Sequence, residues 1–232
     1  MNQIDRAKQL AAERSLDDVR DGMCLGLGSG STAAIMLELL GQRVRQGLRV
    51  CGVPTSEASR QLAQREGIPL VTFDEVTNLD LTIDGADEVD PQLNLIKGGG
   101  GALLREKIVA SLSRRVLIIA DVRKQVPYLG AFPLPVEVVR FAWKPLAERL
   151  AQLGASPALR PGSDGRPYLT DEGNFILDCA FDRIADPAAL AARLDAIPGV
   201  VDHGLFVGLA DTLIVGRGEG TDVIDRPRRQ AI

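Results

Sequence analysis

Three carboxylates crowd the first five positions of one short stretch, DGADEVD, residues 84 to 90. Asp84 and Asp87 flank Gly85 and Ala86, whose side chains are too small to hide them. Crowded acids shift one another's protonation, so Asp84, Asp87 and Glu88 could donate or accept protons. The same oxygens suit a divalent cation, and Asp with Gly also suits a plain turn. A second stretch is KGGGGALLREK, residues 97 to 107. Consecutive glycines are entropically costly to order, so in a compact domain they mark motion or close approach of a ligand to the backbone. The spacing Leu104, Ile108, Leu112 predicts a helix opening just after them. Glu106 lies two residues, roughly 200°, from Leu104, which turns it away from the core, toward solvent or a site. There it is either a proton acceptor or a surface acid favoured by the helix dipole. Lys97 and Lys107 are site cations or plain surface charges.

A third stretch, GLGSGSTAA, spans residues 26 to 34. Its small residues admit a ligand, and the N–H groups opening the following helix favour an anion. Ser29, Ser31 and Thr32 add hydroxyls. Gly28, Gly30 and Ala33 fit the dinucleotide pattern G-x-G-x-x-A, but the acid expected about 20 residues later is not convincing. The nearest one is Glu57, after Val53-Pro54-Thr55-Ser56. A plain N-cap is the alternative for this loop. TSEAS, residues 55 to 59, has the same capping chemistry and suits a second wall of the pocket.

The elements around these loops alternate. MCLGL precedes STAAIMLELLGQRV, RVCGV precedes SEASRQLAQREG, and LDLTID precedes the glycine loop and ALLREKIVASLS. RVLIIAD follows, an unbroken apolar run expected of a strand buried on both faces. The pattern predicts an α/β fold, a Rossmann-like parallel sheet, with ligands beyond the carboxyl ends of its strands. Near Phe132 the pattern changes. FPLPVEVV, the short runs PALR, PYLT and NFILDCAF, helices near Lys144–Leu153 and at PAALAARLDAIPG, and VVDHGLF predict a smaller α+β unit, ferredoxin-like. DTLIVG then returns to the first sheet. The expected division is 1–131 plus 207–232 for the larger domain and 132–206 for the smaller.

Composition narrows the function classes. The 232 residues are 45% hydrophobic, enough for a real core, and carry a net charge of −4. No basic stripe suits nucleic acid. The one dense basic cluster, Arg226, Arg228 and Arg229, is expected to be a solvated end. The longest apolar run, Val116 to Ala120, is far too short for a membrane span, and the charged N-terminus lacks an apolar signal core. A cytoplasmic protein is expected. Three scattered cysteines, Cys24, Cys51 and Cys179, argue against a disulfide framework. The single histidine, His203, makes a histidine-based metal site unexpected, and it reads as a structural, hydrogen-bonded residue.

Taken together, GLGSGSTAA, TSEAS, DGADEVD and KGGGGALLREK resemble the type A ribose-5-phosphate isomerases. IADVRKQV (119 to 126), FPLPVEV (132 to 138) and IPGVVDHGLF (197 to 206) extend the resemblance over almost the whole chain. DGAD with KGGG and an REK helix is the most specific part. The resemblance implies interconversion of D-ribose 5-phosphate and D-ribulose 5-phosphate through an enediol, with no cofactor and no metal. It implies that Glu106 is the base and that Asp84, Asp87 and Lys97 handle substrate oxygens and ring opening. Ser29, Gly30, Ser31 and Thr32 would line the substrate loop. Gly85, Ala86, Gly98, Gly99 and Gly100 would continue the wall, with Lys124 and Lys8 toward the phosphate. Asp84 is the expected proton carrier in ring opening, and Asp87 the holder of hydroxyls. The family often has Thr where Ser29 stands, and both carry a hydroxyl. It also implies a homodimer or homotetramer. Three rivals stand beside it: an NAD-linked oxidoreductase, a sugar-phosphate sensor without catalysis, and a metal-dependent isomerase using the DGADEVD acids.

Overall fold

The computed structural model describes residues 2–226. Helix α1 (Gln3–Ser15) is followed by β1 (Cys24–Leu27), α2 (Ser31–Arg45), β2 (Cys51–Pro54), α3 (Glu57–Arg65) and β3 (Leu81–Asp84). Two short strands, β4 (Glu88–Val89) and β5 (Leu95–Ile96), lead to α4 (Leu103–Ser111) and β6 (Val116–Asp121). Next come β7 (Leu134–Val138), α5 (Trp143–Ala151), β8 (Ser156–Leu159), β9 (Phe175–Ala180), α6 (Pro187–Asp195) and β10 (Val200–His203). The chain closes with β11 (Leu205–Phe206), β12 (Thr212–Gly216) and β13 (Thr221–Asp225).

The main sheet has the order β13-β12-β6-β3-β1-β2, parallel except for β13. Its parallel strands, counted along the chain, run 2-1-3-4-5, so the order reverses between β1 and β3. Ligands of such sheets bind at that reversal, beyond the strands' carboxyl ends. Strand β6 shows why VLIIA is unbroken. Leu117 and Ile119 join Ala11, Met36 and Leu40 on the α1–α2 side. Val116, Ile118 and Ala120 join Leu95, Ala110 and Phe206 on the other. The expected doubly covered parallel sheet is what the chain forms.

The second sheet is antiparallel, ordered β10-β7-β9-β8, with α5 and α6 against one face. Its β-α-β-β-α-β connectivity is ferredoxin-like, as expected. Leu146, Leu150, Leu190 and Leu194 from the helices pack on Val136, Val138, Leu177 and Cys179.

Three local expectations fail, and one strand was not anticipated. PYLT forms no strand, only a single bridge from Pro167 to Pro161, because two prolines remove the donors a ladder needs. VVDHGLF divides at Gly204 into β10 and β11, the latter in a small sheet ordered β11-β5-β4. A Cβ at Gly204 would lie 2.2 Å from the Lys97 carbonyl oxygen, so only glycine lets the two segments touch. Strand β13 is a polar edge strand with little hydrophobic signal to announce it. Arg226 is not solvated: it donates to the carbonyls of Ala210 (2.6 Å) and Leu93 (2.8 Å). Arg228 and Arg229 lie outside the described residues. Among the described residues no helix is long and apolar enough to cross a membrane.

Candidate active site

The glycine loop delivers α4 in an orientation the apolar spacing misses. Gly98 and Gly101 have φ of +99° and +84°, a region side chains rarely adopt, and α4 opens at Leu103 after Ala102. The buried positions of α4 are Leu103, Glu106, Val109 and Ala110, whereas Ile108 is 42% exposed. Glu106 therefore lies on the inward face, contrary to the stripe Leu104, Ile108, Leu112. Helix α4 packs against β7 and β10, while Val109 and Ala110 meet Val53, Val116 and Ile118 of the main sheet, so no single stripe describes it.

Lys97 ends the small-sheet segment and reaches under the loop. Its Nζ stands 3.0 Å from Asp84 Oδ2 and 3.4 Å from Glu106 Oε1, and it donates to the Gly85 carbonyl at 2.6 Å. The Phe206 ring centroid is 5.5 Å from the same ammonium. Burial opposes this charge, but Asp84 and Glu106 outweigh burial and hold the ammonium above its ordinary pKa. Glu106 is 5% exposed, and its Oε2 has no hydrogen-bond partner. Burial pushes its carboxyl from 4.5 up to about 8, opposed by Lys97 and assisted by Asp84 and Asp87. The result is a carboxyl that keeps its proton to a higher pH than a free one and gives it up toward about 8, with one oxygen uncommitted.

Asp84, Asp87 and Glu88 serve three separate tasks. Asp84 Oδ1 accepts from the N–H groups of Ser29 (3.0 Å) and Gly85 (2.7 Å) while Oδ2 meets Lys97. This ties the ends of β1 and β3 together at the order reversal. Gly28 is obligatory there, since a Cβ would come 2.4 Å from Asp84 Oδ1. Asp87 accepts from the Gly99 N–H at 2.8 Å. Glu88 turns away and accepts from the N–H groups of Gly130 (2.7 Å) and Phe132 (2.6 Å), a structural tie. Among the described residues no group of three His, Cys, Asp or Glu converges in a way that could hold a metal ion.

A cleft runs past these groups. Its lining includes Glu106, Lys97 and Asp87, the expected catalytic set except for Asp84, which is buried and does not line it. It also includes all the expected substrate-binding residues: Lys8, Ser29, Gly30, Ser31, Thr32, Gly85, Ala86, Gly98, Gly99, Gly100 and Lys124. Gly30, with φ +91°, opens α2 with no side-chain cap on the helix N–H groups. Lys8 Nζ donates to Ser31 Oγ at 2.9 Å, which places a cation at that helix end. TSEAS is not a cleft wall. Thr55, Ser56 and Ser59 instead hold the Ser29 hydroxyl at 2.7–2.8 Å, and Ser59 Oγ donates to the Gly28 carbonyl.

Sequence reasoning missed Ala120 and Arg123 in the lining. Both flank the end of β6, where a parallel strand's carboxyl end meets the ligand crevice, so position alone was the available signal. Arg123 pairs with the buried Asp121 at 2.8 Å. His203 lies outside the cleft. Its Nδ1 accepts from the Leu205 N–H at 3.2 Å, its Nε2 meets Asp195 at 3.1 Å, and burial with Lys107 lowers its pKa to about 4. Lys107 is no plain surface charge either: it pairs with Asp202 and donates to the His203 carbonyl at 2.6 Å.

Comparisons with known proteins converge on one family. Residues 51–220 match the family model described as ribose 5-phosphate isomerase A (phosphoriboisomerase A). The chain is 55% identical to ribose-5-phosphate isomerase A of Bradyrhizobium diazoefficiens, covering 96% of this chain and 97% of that one. A solved D-ribose-5-phosphate isomerase, in complex with phospho-erythronic acid, has a TM-score of 0.94 at 42% identity, with 97% and 100% of the two chains covered. The Methanocaldococcus jannaschii ribose 5-phosphate isomerase A has a TM-score of 0.90 at 40% identity, with 94% and 97% covered. With this identity extending over nearly the full length of both sequence and fold, the chain belongs to the ribose-5-phosphate isomerase A family.

Proposed function

We propose that this chain interconverts D-ribose 5-phosphate and D-ribulose 5-phosphate by moving a proton between C1 and C2. One observation carries the reading: Glu106 is buried with its Oε1 3.4 Å from the Lys97 ammonium and its Oε2 uncommitted. Glu106 takes the proton from C2 of the open-chain aldose. The C–H electron pair becomes the C1–C2 double bond, and the carbonyl pair moves to O1, which gains a proton. Glu106 then returns its proton to C1 as O2 gives up its own and becomes the ketone. Lys97 faces the oxygens where negative charge grows, a role suited to a fixed cation in a water-poor site. Asp84 pairs with the cleft-lining Lys97, so its part in ring opening is relayed by the lysine. Asp87 faces the cleft and holds hydroxyls. The uncapped start of α2 with Lys8 and Lys124 takes the phosphate. The solved relative is in complex with phospho-erythronic acid, a phosphorylated sugar acid, which supports a sugar-phosphate ligand here.

The division into a smaller unit, 132–206, and a catalytic remainder is supported by the separate sheet and apolar cluster of the former. The chain is further proposed to act in the cytoplasm as a homodimer or homotetramer. Exposed Phe141 and Tyr128 support association, and sedimentation measures it.

The direct test is ribulose 5-phosphate formation from ribose 5-phosphate by dialysed, EDTA-treated protein without added cofactor. Turnover is expected, and its absence with or without a divalent metal would refute the reading. The pH profile follows from burial. Glu106 must be ionised to act, and Lys97, Asp84 and Asp87 are the charges around it. Therefore kcat/KM rises with pH along a limb well above 4.5, toward about 8. A limb centred on the ordinary carboxyl value would contradict the buried state of Glu106.

A further inference from the structure

We propose that Arg160 is a positioning residue for this reaction, holding the glycine loop so that its backbone N–H groups face the cleft; the inference rests on the isomerase reading above. Arg160 stands just past β8, at the edge of the second sheet. Its Nη1 donates to the carbonyls of Gly98 (2.9 Å) and Gly99 (3.1 Å). Its other edge is fixed by Asp178, with Nε 2.9 Å from Oδ2 and Nη2 on Oδ1. The side chain is 12% exposed. The next carbonyl of the loop, Gly100, accepts from the Tyr168 hydroxyl at 3.2 Å, and the Tyr168 ring lies 5.8 Å from the Arg160 guanidinium.

Three successive loop carbonyls are thus held by two side chains that do not line the cleft. The N–H groups are left for the other side. That of Gly99 binds cleft-lining Asp87, and among the described residues nothing accepts from that of Gly100. Glycines cannot keep such a shape unaided. The planar fork of arginine can grip a carboxylate and a carbonyl pair at once, which lysine cannot. A released loop would sample other shapes, and substrate affinity would fall by the fraction of time the competent one is lost. Saturating substrate restores the competent shape, so KM carries the effect and kcat is spared.

The test is steady-state kinetics of Arg160→Met, Arg160→Lys and Tyr168→Phe beside the wild type, with hydrogen exchange at residues 98–101. Arg160→Met is expected to raise KM about tenfold with kcat within about threefold, the scale of losing charge-assisted hydrogen bonds. Arg160→Lys falls between it and the wild type, and Tyr168→Phe raises KM about twofold. Faster exchange of the loop amides accompanies the KM change. An unchanged KM in Arg160→Met, or a fall in kcat with KM unchanged, overturns the inference. Should Arg160→Met fail to fold, the other two variants decide, with unchanged KM in both overturning it. A wild type without turnover counts against the isomerase reading instead, and the exchange comparison then judges the loop: unchanged rates overturn its positioning by Arg160.

Discussion

Glu106→Gln lowers kcat at least about a hundredfold, the usual scale of a lost acid–base group. The amide keeps the shape and much of the packing of the side chain but cannot take a proton from carbon. The fold survives, because Glu106 bonds only weakly to its surroundings: Lys97 at 3.4 Å, with Oε2 unpartnered. Burial raises the Glu106 pKa above its value in the unfolded chain. The folded state therefore binds the extra proton between about 4.5 and 8, and stability from this group is present at low pH and lost as pH rises. Glu106→Gln should flatten the pH dependence of stability over that window. Rate measurements and melting curves at pH 5 and 8 check both statements. Near-normal turnover would remove Glu106 from the role of base.

Lys97→Met affects both activity and stability. Lys97 is 3% exposed, and its ammonium is the cation shared by Asp84 and Glu106. Removing it leaves two buried carboxyls to repel each other. Breaking a buried ion pair from one side destabilises by about 3–5 kcal/mol. Without the lysine, which opposes the upward shift, the Glu106 carboxyl holds its proton still more tightly, so the loss is greatest at high pH and eases as pH falls. Turnover drops by about a hundred- to a thousandfold, as for loss of a group facing developing negative charge. Denaturant titrations at pH 6 and 8 measure the first effect, and initial rates the second. A variant as stable as the wild type at pH 8 would contradict the central place of Lys97 in this cluster.

Much of the site was legible because it is built from local stretches at strand ends. GLGSGSTAA and DGADEVD end β1 and β3, the neighbours between which the strand order reverses, and small residues there signal close approach. Lys97 and Glu106 are joined by one glycine loop, so their proximity was readable along the chain. What could not be read depends on tertiary contacts. The inward turn of Glu106 follows from α4 packing between the two sheets, against its own apolar spacing. The separation of Glu88 from Asp84 and Asp87 depends on the N–H groups of Gly130 and Phe132, far along the chain. Ser59 holds Ser29 only because α3 starts beside the end of β1, which turned an expected wall into a support. Gly204 gave no signal until Lys97 was seen packed on it.

The central claim is that this cleft moves a proton through an enediolate, with Glu106 as carrier. The most direct measurement is to equilibrate ribose 5-phosphate with the EDTA-treated protein in D2O over many turnovers and locate deuterium in both sugars. The account predicts deuterium at C2 of ribose 5-phosphate and C1 of ribulose 5-phosphate, since a carboxyl exchanges its proton with solvent between turnovers. Interconversion with no deuterium at either carbon would mean that hydrogen passes directly between them, and the proton-transfer role of Glu106 would be wrong.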